Sequence, residues 1–158
     1  MEESSLSQSP LQELFPDGVV VYPIKTHFDE RGFFAELYRQ DWFKFDEIVQ
    51  VNISESKPGI VRAWHKHNLG QVDYMVCIQG EINIMIKQKW EDSPTKILNT
   101  ALSPVLVRIP GEYWHGYQVI SSRPARVLYL VTNLYDYEKP DEERKEYVED
   151  KMPPMKKQ

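Results

Sequence analysis

The stretch Val72-Asp73-Tyr74-Met75-Val76-Cys77-Ile78, then Gln79-Gly80, then Glu81-Ile82-Asn83-Ile84-Met85-Ile86-Lys87, decides the fold class. In its second half Ile82, Ile84 and Ile86 alternate with Asn83, Met85 and Lys87. That period of two puts three isoleucines on one face of a strand and marks the face as core. Gln79-Gly80 between two apolar runs is a tight-hairpin signal, because glycine supplies the positive φ such turns require. Runs of the same kind recur on both sides. They read as strands over 18–22, 33–38, 49–54, 60–65, 72–78, 81–89, 98–102, 105–109, 117–120 and 125–132, separated by turn residues, the spacing of a sandwich or barrel.

Helix is scarce. Residues 41–48 read as a short helix, with Asp41 as its cap and Trp42, Phe43 and Phe45 as packing groups. Residues 140–150 read as a second helix or as a charged tail docked on the barrel, with Pro140 in the first turn and Asp141, Glu142 and Glu143 at the positive end of the dipole. The expected organisation is a flexible segment over 1–17, one domain over 18–150 and a frayed tail over 151–158.

A chain of 158 residues is long enough for one sizeable core. Its 19 Lys and Arg against 24 Asp and Glu give a net charge of -5, with no basic stripe to neutralise a phosphate backbone, so nucleic acid is not an expected partner. No apolar run approaches the roughly 18 residues of a membrane span. Met1 to Pro10 is acidic and serine-rich, unlike a signal peptide, and the expected location is cytoplasmic. Cys77 is the only cysteine and lies between Val76 and Ile78, which fits a buried small hydrophobe and leaves no disulfide framework.

Chemistry is expected where the histidines gather. His27 reads as a packing group. His65 and His67 are two residues apart on one β-type run and so share a face, and His115 follows Pro110-Gly111, so a barrel brings them together inside. His65 and His115 each follow a tryptophan. Arg62 and Gln71 lie in or beside the first of these segments, polar groups that a core does not leave unpaired.

Arg62-Ala63-Trp64-His65 after Gly59-Ile60-Val61, and Ile109-Pro110-Gly111 leading to His115-Gly116-Tyr117, resemble the dTDP-4-dehydrorhamnose 3,5-epimerase family. Residues Asp29 to Glu36, the polar positions Gln50, Asn52, Ser54 and Ser56, Ser93-Pro94-Thr95 and the stretch from Tyr129 to Tyr135 match as well, so the resemblance runs from about Gly18 to about Pro140. It implies an all-β cupin or jelly-roll barrel with short peripheral helices, and a homodimer with exchanged N-terminal strands. The implied substrate is a nucleoside-diphosphate 4-keto sugar, handled without a cofactor or a metal. By the same resemblance His65 is the base and Tyr129 the acid. Arg62 and His115 are substrate contacts, Gln50 and Asn52 hold the nucleotide-sugar, and Arg31, Phe34 and Glu36 come from the partner subunit. The implied setting is surface polysaccharide, O-antigen or deoxysugar biosynthesis.

Two positions depart from the family pattern. Asp73 stands where the family has a lysine facing the enolate oxygen, and losing one such donor costs about 2.7–4 kcal/mol. Asp73 can serve that oxygen only when protonated, or else has another role. The family's C-terminal aspartate behind the base has no clear counterpart before Gln158, with Asp141 and Asp150 candidates by position. Two rival readings stay open. One is a relative that binds a nucleotide-sugar without turnover. The other is a metal-dependent cupin, because His65, His67, Asp73 or Gln71, and His115 resemble a metal-binding cupin's ligand set.

Overall fold

Ile82, Ile84 and Ile86 are buried as their alternation requires, at 0, 0 and 1 % exposure. Each side chain of that size contributes about 1.5–3 kcal/mol by leaving water. The structure, a computed structural model, describes residues 15–148. Residues 1–14, the tail over 151–158 and Asp150 lie outside the described residues.

Twelve strands follow one another: β1 (Val20–Pro23), β2 (Thr26–Asp29), β3 (Gly32–Ala35), β4 (Gln50–Ser56), β5 (Val61–Lys66), β6 (Val72–Gln79), β7 (Glu81–Lys87), β8 (Thr95–Thr100), β9 (Val105–Pro110), β10 (Trp114–Val119), β11 (Ala125–Val131) and β12 (Glu143–Arg144). They form two antiparallel five-stranded sheets, ordered β1-β9-β6-β11-β4 and β12-β5-β10-β7-β8, plus a separate hairpin of β2 and β3. This is the expected all-β jelly-roll type of architecture. The main core lies between the sheets, where Met75 and Cys77 of β6 meet the β7 isoleucines, Val107 and Tyr117.

The Gln79-Gly80 turn differs from its sequence reading. β6 pairs with β9 and β11, and β7 pairs with β8 and β10, so the turn carries the chain from one sheet to the other and does not close a hairpin. Gly80 has φ +76°, and a Cβ there would meet the Ser121 hydroxyl at 2.8 Å and the Pro124 carbonyl at 3.1 Å. The glycine signal is therefore correct for a sharp turn. What the turn joins is set by the pairing partners.

β6 is covered on both faces, which explains its unbroken apolar run. Its Met75 and Cys77 face the core, while Tyr74 and Val76 pack outward against Phe43, Ile24 and Leu106. On the other sheet, Met85 turns away from the isoleucine face and packs with Trp64 and Trp114.

The expected helix over 41–48 is replaced, and over 140–148 the charged segment docked on the barrel is the reading that holds. Over 41–48 the chain makes turns: Trp42 N–H donates to the Arg39 carbonyl and Asp46 N–H to the Phe43 carbonyl. The Gln40 side-chain amide donates to the Phe43 and Asp46 carbonyls, so side chains take the acceptors a helix would use. Phe43 then seats against Tyr74, ring centroids 5.1 Å apart. Residues 140–148 hold no helix; Glu143 and Arg144 form β12 along the edge of β5, pairing with Lys66 and His65. Lys145 and Trp64 exchange two backbone hydrogen bonds of 2.9 Å. An edge strand offers unpaired N–H and C=O groups, and this segment satisfies them. The Lys145 ammonium also lies over the Trp90 and Trp114 rings at 4.5 and 5.3 Å. No helix among the described residues is long and apolar enough to cross a membrane.

Candidate active site

A cavity of about 980 Å³ opens between the sheets. β4 lines it with Gln50, Asn52 and Ser54, β11 with Tyr129, β5 with Arg62 and His65, and β6 with Asp73. The segment carrying β12 closes it with Asp141, Glu142 and Arg144. Alternation sets the β4 positions, since residues two apart share a face; on β5 a register shift against β10, His115 opposite His65 but Tyr117 opposite Arg62, brings Arg62 and His65, three apart, to the same cavity.

One side of the cavity is a histidine cluster around Asp73. His115 on β10 is opposite His65 on β5, with ring centroids 4.3 Å apart. His115 is wholly buried, and its Nδ1 donates to the Tyr113 carbonyl at 2.8 Å while Nε2 lies 2.9 Å from Asp73 Oδ2. His67 follows β5; its Nδ1 donates to the Asp141 carbonyl at 2.7 Å and its Nε2 lies 3.2 Å from the same Asp73 oxygen. Gln71 donates to Asp73 Oδ1 at 2.7 Å. Gly111 permits this packing: a Cβ there would meet the Gln71 carbonyl at 2.1 Å and the His67 Cβ at 3.1 Å.

These environments set the charges. Burial, and then the neighbouring His115, hold the His65 imidazole well below the ordinary histidine value, so it is neutral and able to accept a proton. Burial alone would raise the Asp73 carboxyl, but the hydrogen bonds with His115 and His67 outweigh it and hold the group below the usual carboxylate range. Asp73 therefore does not carry the proton that a role beside an enolate oxygen requires.

The other side is a chain of hydroxyls. Arg62 Nε donates to Ser56 Oγ at 2.6 Å, Ser56 Oγ and Ser54 Oγ each lie 2.9 Å from the Tyr117 hydroxyl, and Ser54 Oγ lies 3.0 Å from the Tyr129 hydroxyl. Burial, and then the neighbouring Tyr117, push Tyr129 above the ordinary tyrosine value. Tyr129 thus stays protonated at neutral pH.

Of the residues singled out in the sequence, His65, Tyr129, Asp73, Gln50, Asn52 and Arg62 line the one cavity. His115 does not: it is 0 % exposed and sits behind the lining, so its expected substrate contact is replaced by contact with Asp73. Arg31, Phe34 and Glu36 lie outside the cavity of their own chain. Arg31 pairs with Asp29 at 2.6 Å, Phe34 is exposed and Glu36 meets Arg39. Asp141 does not back His65. Its carboxylate accepts from the Asn68 and Leu69 backbone N–H groups, and its carbonyl holds His67. Among the described residues no carboxylate is hydrogen-bonded to His65.

The family model described as dTDP-4-dehydrorhamnose 3,5-epimerase matches residues 14–152. This chain belongs to that family. It is 41 % identical over 135 residues to the probable low-salt glycan biosynthesis epimerase Agl13 of Haloferax volcanii, covering 82 % of this chain and 86 % of that one. To the spore coat polysaccharide biosynthesis protein SpsL of Bacillus subtilis it is 35 % identical, covering 81 % and 87 %. The solved structure of NovW, a 4-keto-6-deoxy sugar epimerase from Streptomyces spheroides, superposes with a TM-score of 0.71 at 26 % identity, over 81 % of this chain and 69 % of that one. The family's fold is thus present here.

Two parts of the site carry no local sequence signal. Tyr117 is a buried strand residue that reads as packing, yet its hydroxyl joins Ser54 to Ser56. Glu142 and Arg144 reach the cavity only because β12 pairs with β5, a contact between residues more than seventy positions apart.

Proposed function

We propose that this protein is an epimerase or isomerase of a nucleoside-diphosphate 4-keto-6-deoxysugar. The observation that supports this most is the shared cavity: His65 comes from one sheet and Tyr129 from the other, and both line it. A sugar ring between them meets a base from one side and an acid from the other. The C4 ketone makes the C3 and C5 protons acidic because the carbanion delocalises into an enolate, and neutral His65 accepts such a proton. Tyr129 returns one to the opposite face, and its hydroxyl chain to Ser54 and Tyr117 orients the donor. Arg62 presents a planar fork suited to a diphosphate, with Gln50 and Asn52 beside it.

Membership of this epimerase family, and relatives named for glycan and spore coat polysaccharide biosynthesis, support a cytoplasmic role in making deoxysugars for a surface polysaccharide such as an O-antigen. Incubation with dTDP-, UDP- or GDP-linked 4-keto-6-deoxyglucose in D2O, followed by NMR, tests the chemistry. Deuterium at C3 or C5 is the expected result. Absence of exchange with all three would overturn it.

The working unit is a homodimer with exchanged N-terminal strands. The β2–β3 hairpin pairs only with itself and exposes Phe28, Phe33 and Phe34, while edge strand β4 exposes Val51 and Ile53. A hairpin added to a partner's β4 edge would cover both apolar sets and carry Arg31, Phe34 and Glu36 to the partner's cavity. Light scattering is expected to give twice the chain mass, and a monomer would contradict the exchange.

A further inference from the structure

Two imidazoles and a carboxylate turn their donor atoms toward one point at Asp73. A backbone carbonyl only accepts, so the His115 contact to Tyr113 and the His67 contact to Asp141 fix the N–H on Nδ1 in both rings. In their neutral forms both rings then turn an Nε2 lone pair toward Asp73 Oδ2, at 2.9 and 3.2 Å, and that oxygen is itself an acceptor. The Gln71 amide satisfies Oδ1 and lies 3.3 Å from His67 Nε2, but it does not reach Oδ2 within hydrogen-bond distance. His67 Nε2, His115 Nε2 and Asp73 Oδ2 therefore converge on one point, with the Gln71 amide also donating toward His67 Nε2.

A divalent cation at that point uses the lone pairs as they stand. The donor atoms of His65, His67, Asp73 and His115 all lie within 4.8 Å of one another. The Nδ1-to-carbonyl bonds are the outer contacts that fix a metal-ligating histidine in its tautomer.

We propose that His67, His115 and Asp73 bind a divalent first-row transition-metal ion. Two imidazole nitrogens and one carboxylate oxygen suit zinc, iron or manganese, and such a three-ligand set leaves a coordination position open. That position faces the cavity, because His67 and Asp73 both line it. His65 stands next to the ion, its nitrogen within reach as a fourth donor, and the site is independent of the epimerase reading.

The test uses the full chain purified without a polyhistidine tag, stripped with a chelator and titrated with Co2+ and then Zn2+. Visible d–d absorption saturating at one Co2+ per chain, bleached by one equivalent of Zn2+, is the expected result, with a rise in Tm on Zn2+ addition. Asp73→Asn and His67→Gln are expected to lose the stoichiometric ion, with circular dichroism reporting that each is folded. Wild-type protein that shows no saturable Co2+ spectrum and no Tm shift with Zn2+ would overturn the proposal, as would undiminished binding by a folded Asp73→Asn variant. Because these readouts involve no sugar, a metal-free protein that still exchanges deuterium would sink this site alone. A metal-loaded protein that exchanges none would sink the epimerase reading alone.

Discussion

The two sides of the cavity are both polar and buried, yet they balance their hydrogens in opposite ways. Along Arg62, Ser56, Tyr117, Ser54 and Tyr129 every link after the arginine is a hydroxyl, which donates and accepts, so the chain satisfies itself by rotating O–H bonds. Around Asp73 the groups are fixed: both Nδ1 protons are committed to backbone carbonyls, and the carboxylate only accepts. Adaptable groups can pass a proton and return to the same state. Fixed acceptors hold a charge in one place. On the proposed reading the hydroxyl side delivers a proton and the histidine side removes one.

The largest expected effect comes from removing the proposed base at the edge of the histidine side. His65→Asn is expected to lower the epimerisation rate by about 10²–10⁴-fold and to abolish deuterium uptake at both carbons. Tyr129→Phe strikes the other side and is expected to slow net inversion by about 10²-fold. In that variant deuterium exchange with retained configuration persists, because His65 still removes and returns a proton from its own face. Equal loss of exchange and inversion in Tyr129→Phe would show that the two sides do not divide the work.

Smaller effects separate adaptable from fixed hydrogen bonding. Ser54→Ala removes the partner of the Tyr129 hydroxyl and one partner of Tyr117, and is expected to cost about 1–3 kcal/mol in urea unfolding. A variant as stable as wild type would mean that water replaces the serine and that the chain is less closed than its distances imply. Asp141→Ala leaves the carbonyl that holds His67 but removes the carboxylate anchoring the 68–69 turn. A loss of about 1 kcal/mol is expected, read from the urea midpoint.

Much of this molecule is legible locally. The Ile82, Ile84 and Ile86 alternation marks a core face, and all three are buried. The placing of His65 and His67 on one face follows from the two-residue period of a strand, and their meeting with His115 from the pairing of β5 with β10. The short helices were not so readable. Over 41–48 the composition suits a helix, but Gln40 and the seat for Phe43 on Tyr74 belong to the tertiary surroundings. Beyond residue 140 the free edge of β5 decides the outcome, and no local pattern reports it.

By itself the sequence determines most of the strands, their inward faces, the turn at Gly80 and the residue types of the site, because each depends on neighbours a few positions away; β2 and β12 are not among the strands it shows. Only the tertiary structure decides which strands pair, that Gly80 joins two sheets, that Asp141 holds His67 and not His65, and that His115 stands behind the cavity lining. The physical reason is that alternation fixes which way a side chain points. What it points at is set by hydrogen-bond register between strands far apart in the chain.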